Sequence, residues 1–131
     1  MRKGQVSVEY TVLLGLFLFV LLGVIIFAYS QYKNLENEIY VLEGQTAAQK
    51  ICASIDHISR FDKGTVQHIE VYLPPNYNPE KSFLKDNVIN LRVADSDLNC
   101  VSQIPIDGQP PSSYGKTRLI LERTDRGVVI R

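Results

Sequence analysis

Glu9 is the residue of this 131-residue chain whose position makes its chemistry costly. It stands at the edge of an apolar run, and the twenty-three residues that follow it, Tyr10 to Tyr32, carry no charge. An ionisable group at membrane depth is expensive and by default marks function. Glu9 is therefore read as a functional group, against the alternative of a side chain that snorkels to the headgroups. Other candidates for chemistry are sparse. His57 and His68 fall on a polar helix face and an outward strand position, with no serine or cysteine nucleophile near either in sequence. Asp95, Asp97 and Asn99 open like a calcium loop, but Cys100 stands where glycine is needed and Ile106 where the closing glutamate belongs. Phosphate-binding glycine loops and Cys/His zinc spacings are absent from the sequence. The reading is of surface histidines and a polar turn, with no catalytic residues, metal or cofactor expected.

The element that must position Glu9 is the run itself. Tyr10 to Tyr29 is twenty residues without charge or proline, fourteen of them Leu, Ile, Val or Phe. A bilayer core ~30 Å thick needs about 20 helical residues, and fourteen such side chains favour insertion by roughly 4 to 8 kcal/mol. Arg2 and Lys3 precede the run, while Lys33, Glu36 and Glu38 follow it. The positive-inside rule then keeps Met1 cytoplasmic and sends the chain from Gln31 outside. A removable secretory signal fits poorly, because the run is long and no A-x-A-like site ends it.

Lys3, Gly4, Gln5, Ser7, Glu9 and Tyr10 lie in K-G-Q-V-S-V-E-Y. This resembles the class III signal peptide of archaeal type IV pilin-like proteins, K-G-Q-x-S-x-E-Y, over about thirty residues. The resemblance implies that a membrane prepilin peptidase cuts between Gly4 and Gln5 on the cytoplasmic side and leaves the apolar helix attached. Lys3, Ser7 and Tyr10 would belong to the processing motif, and Glu9 would become the fifth residue of the mature chain, where pilins carry a glutamate implicated in subunit docking. Archaeal flagellins share the peptidase and the helix but typically carry small residues where this chain has Ser7 to Tyr10. They are the weaker match.

Length leaves room for one helix and one small external domain. The formal charge is zero, from 14 basic and 14 acidic residues, and no basic patch suggests nucleic acid. Cys52 and Cys100 form an even pair in the segment expected outside, where a disulfide between them is permitted. The alternative is two buried cysteines that never meet. No N-x-[ST] sequon occurs.

No proline precedes Pro74, and the simplest reading is one helix from about Val6 to Arg60. On a helical wheel its second half places Tyr40, Val41, Ala47, Ala48, Ile51, Cys52, Ile55 and Ile58 on one apolar stripe. Gln45, Thr46, Gln49, Lys50, Asp56, His57 and Arg60 lie opposite. Leu35, Ile39 and Leu42 fall elsewhere, and are read as contacts to neighbouring subunits. A wider core, or a helix break at Gly44 that resets the phase, is the alternative. Gly15 and Gly23 read equally as close-contact points between packed helices or as ordinary membrane-helix glycines. After F-D-K-G at 61–64, strands are expected over Thr65–Leu73, Asn87–Ala94, Leu98–Ile104 and either side of T-D-R-G. Loops are expected from Pro74 to about Lys85 and from Pro105 to Gly115.

The expected fold is α+β: one long N-terminal helix, with a small C-terminal antiparallel sheet packed on its second half. The expected divisions are a leader at 1–4, a membrane or filament-core helix at 5–32, its amphipathic continuation at 33–63 and a β head at 64–131. The expected role is a structural subunit of an archaeal surface filament serving adhesion, in which copies assemble as a helical homo-oligomer. Its partners would be the prepilin peptidase, an assembly machinery in the membrane and, before assembly, membrane lipid. The alternative is a single-pass anchored external binding domain that does not polymerise.

Overall fold

The computed structural model describes the backbone from Arg2 and the side chains of residues 7–131. Helix α1 (Arg2–Ile58) is followed by β1 (Val66–Leu73), β2 (Tyr77–Lys85), β3 (Val88–Val93), β4 (Ser96–Val101), β5 (Ile106–Gly108), β6 (Gly115–Arg123) and β7 (Val128–Ile130). The fold class is α+β, as expected from the pattern. By its contacts the chain divides into two units, one up to Glu36 and one from Asn37 to Arg131.

In the first unit every described side chain, from Ser7 to Glu36, is exposed. The second unit, the head, has its own core. Ala47, Ala48, Ile51, Cys52, Ile55 and Ile58 are all buried, which is the stripe the helical period marks. Tyr40 is only partly buried at the lower margin of that core. The helix stops where Arg60 N and Phe61 N donate to the carbonyls of His57 and Ile58, and Gly64, at φ +84°, turns the chain into β1.

Two sheets supply the other side of the core. One has the order β1-β6-β7-β5 and the other β2-β3-β4. Ile69, Val71 and Leu73 of β1 point inward, as do Ile89, Leu91 and Val93 of β3, in line with their alternation. Seven strands in two sheets replace the four or five in one sheet that the sequence suggests. β7 pairs antiparallel with β6 across T-D-R-G, but β5 pairs with β7 in parallel.

The largest difference is β2, which occupies most of the stretch expected as a loop. Its register to β3 shifts between Asn78 and Phe83, so Pro79 sits in a bulge where no ladder N–H is needed. Side chains take over there. Asn78 Oδ1 accepts from Glu80 N at 3.0 Å and Lys81 N at 3.3 Å, while Ser82 Oγ donates to Asn78 O and accepts from Arg92 N. Tyr77, at the start of this strand, is buried and donates its hydroxyl to Pro111 O at 2.8 Å; burial pushes the phenol above its usual pKa.

Helix α1 runs through Gly44 without a break. A Cβ there would lie 2.7 Å from both Val93 Cγ2 and Leu98 Cδ1, so Gly44 is where β3 and β4 come against the helix backbone. Gly44→Ala is expected to destabilise the head by about 1–3 kcal/mol of overpacking, offset in part by ~1 kcal/mol of helix propensity. The urea midpoint of the head measures the balance. A raised midpoint would mean that Val93 and Leu98 move aside at little cost.

Candidate assembly surfaces

Three groups of residues bear on how this chain meets other molecules: the apolar helix with Glu9, the exposed face of the lower head, and the ties that fix the head on its helix.

In the first unit, α1 includes a span long and apolar enough to cross a membrane, with a mean hydropathy of 3.0 in its most apolar window. None of that window is buried by the chain itself. Glu9 lies on this helix with its side chain exposed, and Tyr10 likewise. The Ser7 carbonyl accepts a hydrogen bond from Thr11 Oγ1 at 2.8 Å. The side chains of Lys3 and Gln5, and the Gly4 cleavage position, lie outside the described residues. Among the described residues, nothing beyond the helix's own adjoining backbone lies within 4 Å of a Cβ built on Gly15 or Gly23.

Leu35, Ile39 and Leu42 are 57%, 53% and 62% exposed. Within the head, Ile39 and Leu42 line an apolar groove with Thr46, Ala47 and Tyr72, between the helix and the end of β1. Leu42 also borders a second groove, formed with Asn37, Glu38 and Val41 on the helix and Ala94, Asp95 and Ser96 at the β3–β4 turn. Leu42 is thus a ridge between two clefts. Replacing Leu35, Ile39 and Leu42 together by serine or glutamine is expected to abolish assembly while a chain trimmed to residues 33–131 stays folded. Unfolding of that trimmed variant would assign the residues to the head's own core instead.

The helix is tied to two of the head's edge strands, β4 and β1. Cys52 and Cys100 form a disulfide, with Cα atoms 6.4 Å apart, joining α1 to β4. One helical turn on, Asp56 Oδ1 accepts from Ser102 Oγ at 3.0 Å and from Gln103 N at 3.2 Å. On the other side, Lys50 Nζ donates to Glu70 O of β1 at 2.6 Å. β1 and β4 are edge strands of their sheets, and an edge presents unpaired backbone groups that other chains can pair with. A tie from the helix reaches each of them. Sequence reasoning placed Lys50 and Asp56 on the solvent side of the wheel, because periodicity records the direction of a Cβ and not the reach of a long or polar side chain.

The remaining polar candidates are engaged within the head. Asp97 of β4 pairs with Arg92 of β3 at 2.6 Å, and Asn99 Oδ1 accepts from Asn90 Nδ2 at 2.7 Å. The turn itself is Ala94–Asp95, with Ala94 at φ 51°, so it lies one residue earlier than the Asp95–Asp97 expected. His57 stacks at a tilt on Phe61, and His68 is exposed on β1. On the same outer face, Arg118 pairs with Glu70 at 2.9 Å, and that hydrogen bond and charge hold the Glu70 carboxyl below its usual pKa. Among the described residues, no group of three or more His, Cys, Asp or Glu is arranged to hold a metal ion. No protein family matches this chain, and neither a curated protein nor a solved structure does.

Proposed function

We propose that this chain is a structural subunit of an archaeal type IV pilus-like surface filament, held in the membrane by its apolar helix until assembly. The observation that supports the reading is the contrast between its two units. The head buries its own core, whereas residues 7–36 leave every side chain uncovered. So much apolar surface needs lipid or other copies of the same helix around it. A span that only anchors the head has no use for a carboxylate at its edge. Glu9, preceded by K-G-Q-V-S-V, supplies one at the spacing that a processed subunit uses. In this reading the prepilin peptidase removes residues 1–4, the membrane assembly machinery lifts the helix out of lipid, and a helical homo-oligomer displays the heads for surface adhesion. Neither catalysis nor nucleic-acid binding has a part in it.

The test is to shear surface filaments from cells producing the chain and identify the subunits by mass spectrometry. The chain is expected in the filament fraction with Gln5 as its first residue. Filaments that lack it, with the chain retained whole in the membrane fraction, would return it to an anchored external domain.

A further inference from the structure

The two ends of the head carry unlike surfaces. At its lower end is the groove between α1 and the β3–β4 turn, about 510 Å³, lined by Asn37, Glu38, Val41, Leu42, Ala94, Asp95 and Ser96. Val41, Leu42 and Ala94 make it apolar. Its two charged residues, Glu38 and Asp95, are both acidic. At the upper end, just past the last turn of α1, the Phe61 side chain stands 51% exposed. Its ring is held against His57, with centroids 5.1 Å apart and planes at 57°. Arg60 and Lys63 flank it, with Asp62 between them, and Lys63 pairs with Asp125, both side chains nearly three-quarters exposed. With Arg126 on the same turn as Asp125, this end has three basic and two acidic residues.

We infer that the Phe61 turn of one copy seats in the Glu38–Asp95 groove of the next copy. The inference rests on the filament reading above and names a contact within it. An aromatic ring with basic neighbours meets an apolar floor with an acidic rim, so burial and charge favour the same orientation. Val41 and Ile58 are seventeen residues apart on one helix, roughly 26 Å at ~1.5 Å per residue. No copy can therefore fill its own groove. Because knob and groove are different patches, the contact is heterologous, and repeating it gives an open filament wherever the rotation per copy does not close a ring. Its size sets its role. A buried phenylalanine covers about 150–250 Å², well short of the ~1,000 Å² that a stable interface needs alone. The contact orders heads along the filament, while the apolar helices supply most of the buried area. The tilted stack on His57 limits the freedom the ring would otherwise lose on docking.

The test uses the full chain in filament-producing cells. Asp62→Cys combined with Ser96→Cys keeps the ring and leaves the Cys52–Cys100 bridge in place. Oxidised filaments of the double variant are expected to give a ladder of disulfide-linked multimers on non-reducing gels, and each single variant a monomer. Glu38→Lys with Asp95→Lys is expected to lower filament yield at least tenfold, and adding Arg60→Glu with Lys63→Glu to restore it. Filaments of the double cysteine variant without a ladder would overturn the contact and leave the filament reading standing. Should the cysteine pair fail to assemble, the charge exchange decides, and lack of restoration overturns the contact. Wild-type filaments that do not contain the chain would overturn both.

Discussion

Replacing Cys52 and Cys100 together by alanine is expected to cost the head up to roughly 4 kcal/mol. The bridge joins residues 48 apart in sequence, and in the chain-entropy account a loop of that size loses about this much freedom from the unfolded state. A head of under a hundred residues has a total stability of about 5–15 kcal/mol, so the loss is a large share of what holds it folded. Position adds to the effect. Cys100 lies in β4, the edge strand that has only β3 beside it, and the Asp56 hydrogen bonds tie the same segment one turn further along α1. Asp56→Ala is expected to cost about 1–3 kcal/mol, since it leaves Ser102 and Gln103 without their acceptor. The triple variant should then lose less than the sum, because once β4 is free the two ties no longer act independently. Urea unfolding of the head gives the magnitudes, and hydrogen exchange gives the place: β4 amides should lose protection before those of β1. Uniform loss across both sheets would mean that the bridge acts only through the unfolded chain.

Much of this architecture can be read from the chain before its structure. Residues that bury side chains at a fixed period announce themselves, so the helix, its stripe from Ala47 to Ile58, and strands β1 and β3 fall where the sequence puts them. β2 does not, because Pro79 reads as a strand breaker unless a bulge spares it the ladder bond. β7 falls where the T-D-R-G turn puts it, but β5 is three residues, too short for alternation to separate it from loop, and its parallel pairing with β7 depends on the route of β6 between them. The Asp56 tie carried a faint signal. Asp56 is four residues beyond Cys52, about 6 Å along a helix. Ser102 is two residues beyond Cys100, about 6.6 Å along a strand. If the cysteines meet and β4 runs in the same sense as the helix, the aspartate and the serine meet as well. The two grooves beside Leu42 carried no such signal, because they depend on where the β3–β4 turn comes to rest. Composition and spacing do not state that.

Glu9→Ala is expected to leave processing intact and to stop assembly. In the proposed filament, cleavage between Gly4 and Gln5 would create an amine four residues before Glu9, ahead of a run that stays uncharged through Tyr32. In a bundle of such helices water is excluded, and a carboxylate without a partner costs about 3–5 kcal/mol. An incoming subunit whose Gln5 amine meets the Glu9 of an assembled one removes that cost. At 1.4 kcal/mol per factor of ten, the difference between a paired and an unpaired carboxylate is at least about 100-fold in docking. This makes the pair a gauge of both cleavage and height, since an uncut chain has no amine at this level and a subunit docked at the wrong level leaves both charges buried. Alanine leaves the incoming Gln5 amine buried without a partner, so Glu9→Ala subunits do not dock and accumulate, cut, in the membrane. Glu9→Gln keeps a hydrogen-bonding group without the charge. Its filaments are expected to form slowly and to admit uncut chains that the wild type rejects. An N-terminal glutamine that cyclises loses its amine, and Glu9 then pairs with a donor such as the Ser7 hydroxyl. Mass spectrometry of the mature N-terminus distinguishes the two, because cyclisation removes one ammonia. Pulse-labelled cells followed into the sheared filament fraction measure the rest. If Glu9→Ala enters filaments at the wild-type rate, or if the uncut wild-type chain does, then Glu9 has no docking role and the apolar helices assemble without the charge pair.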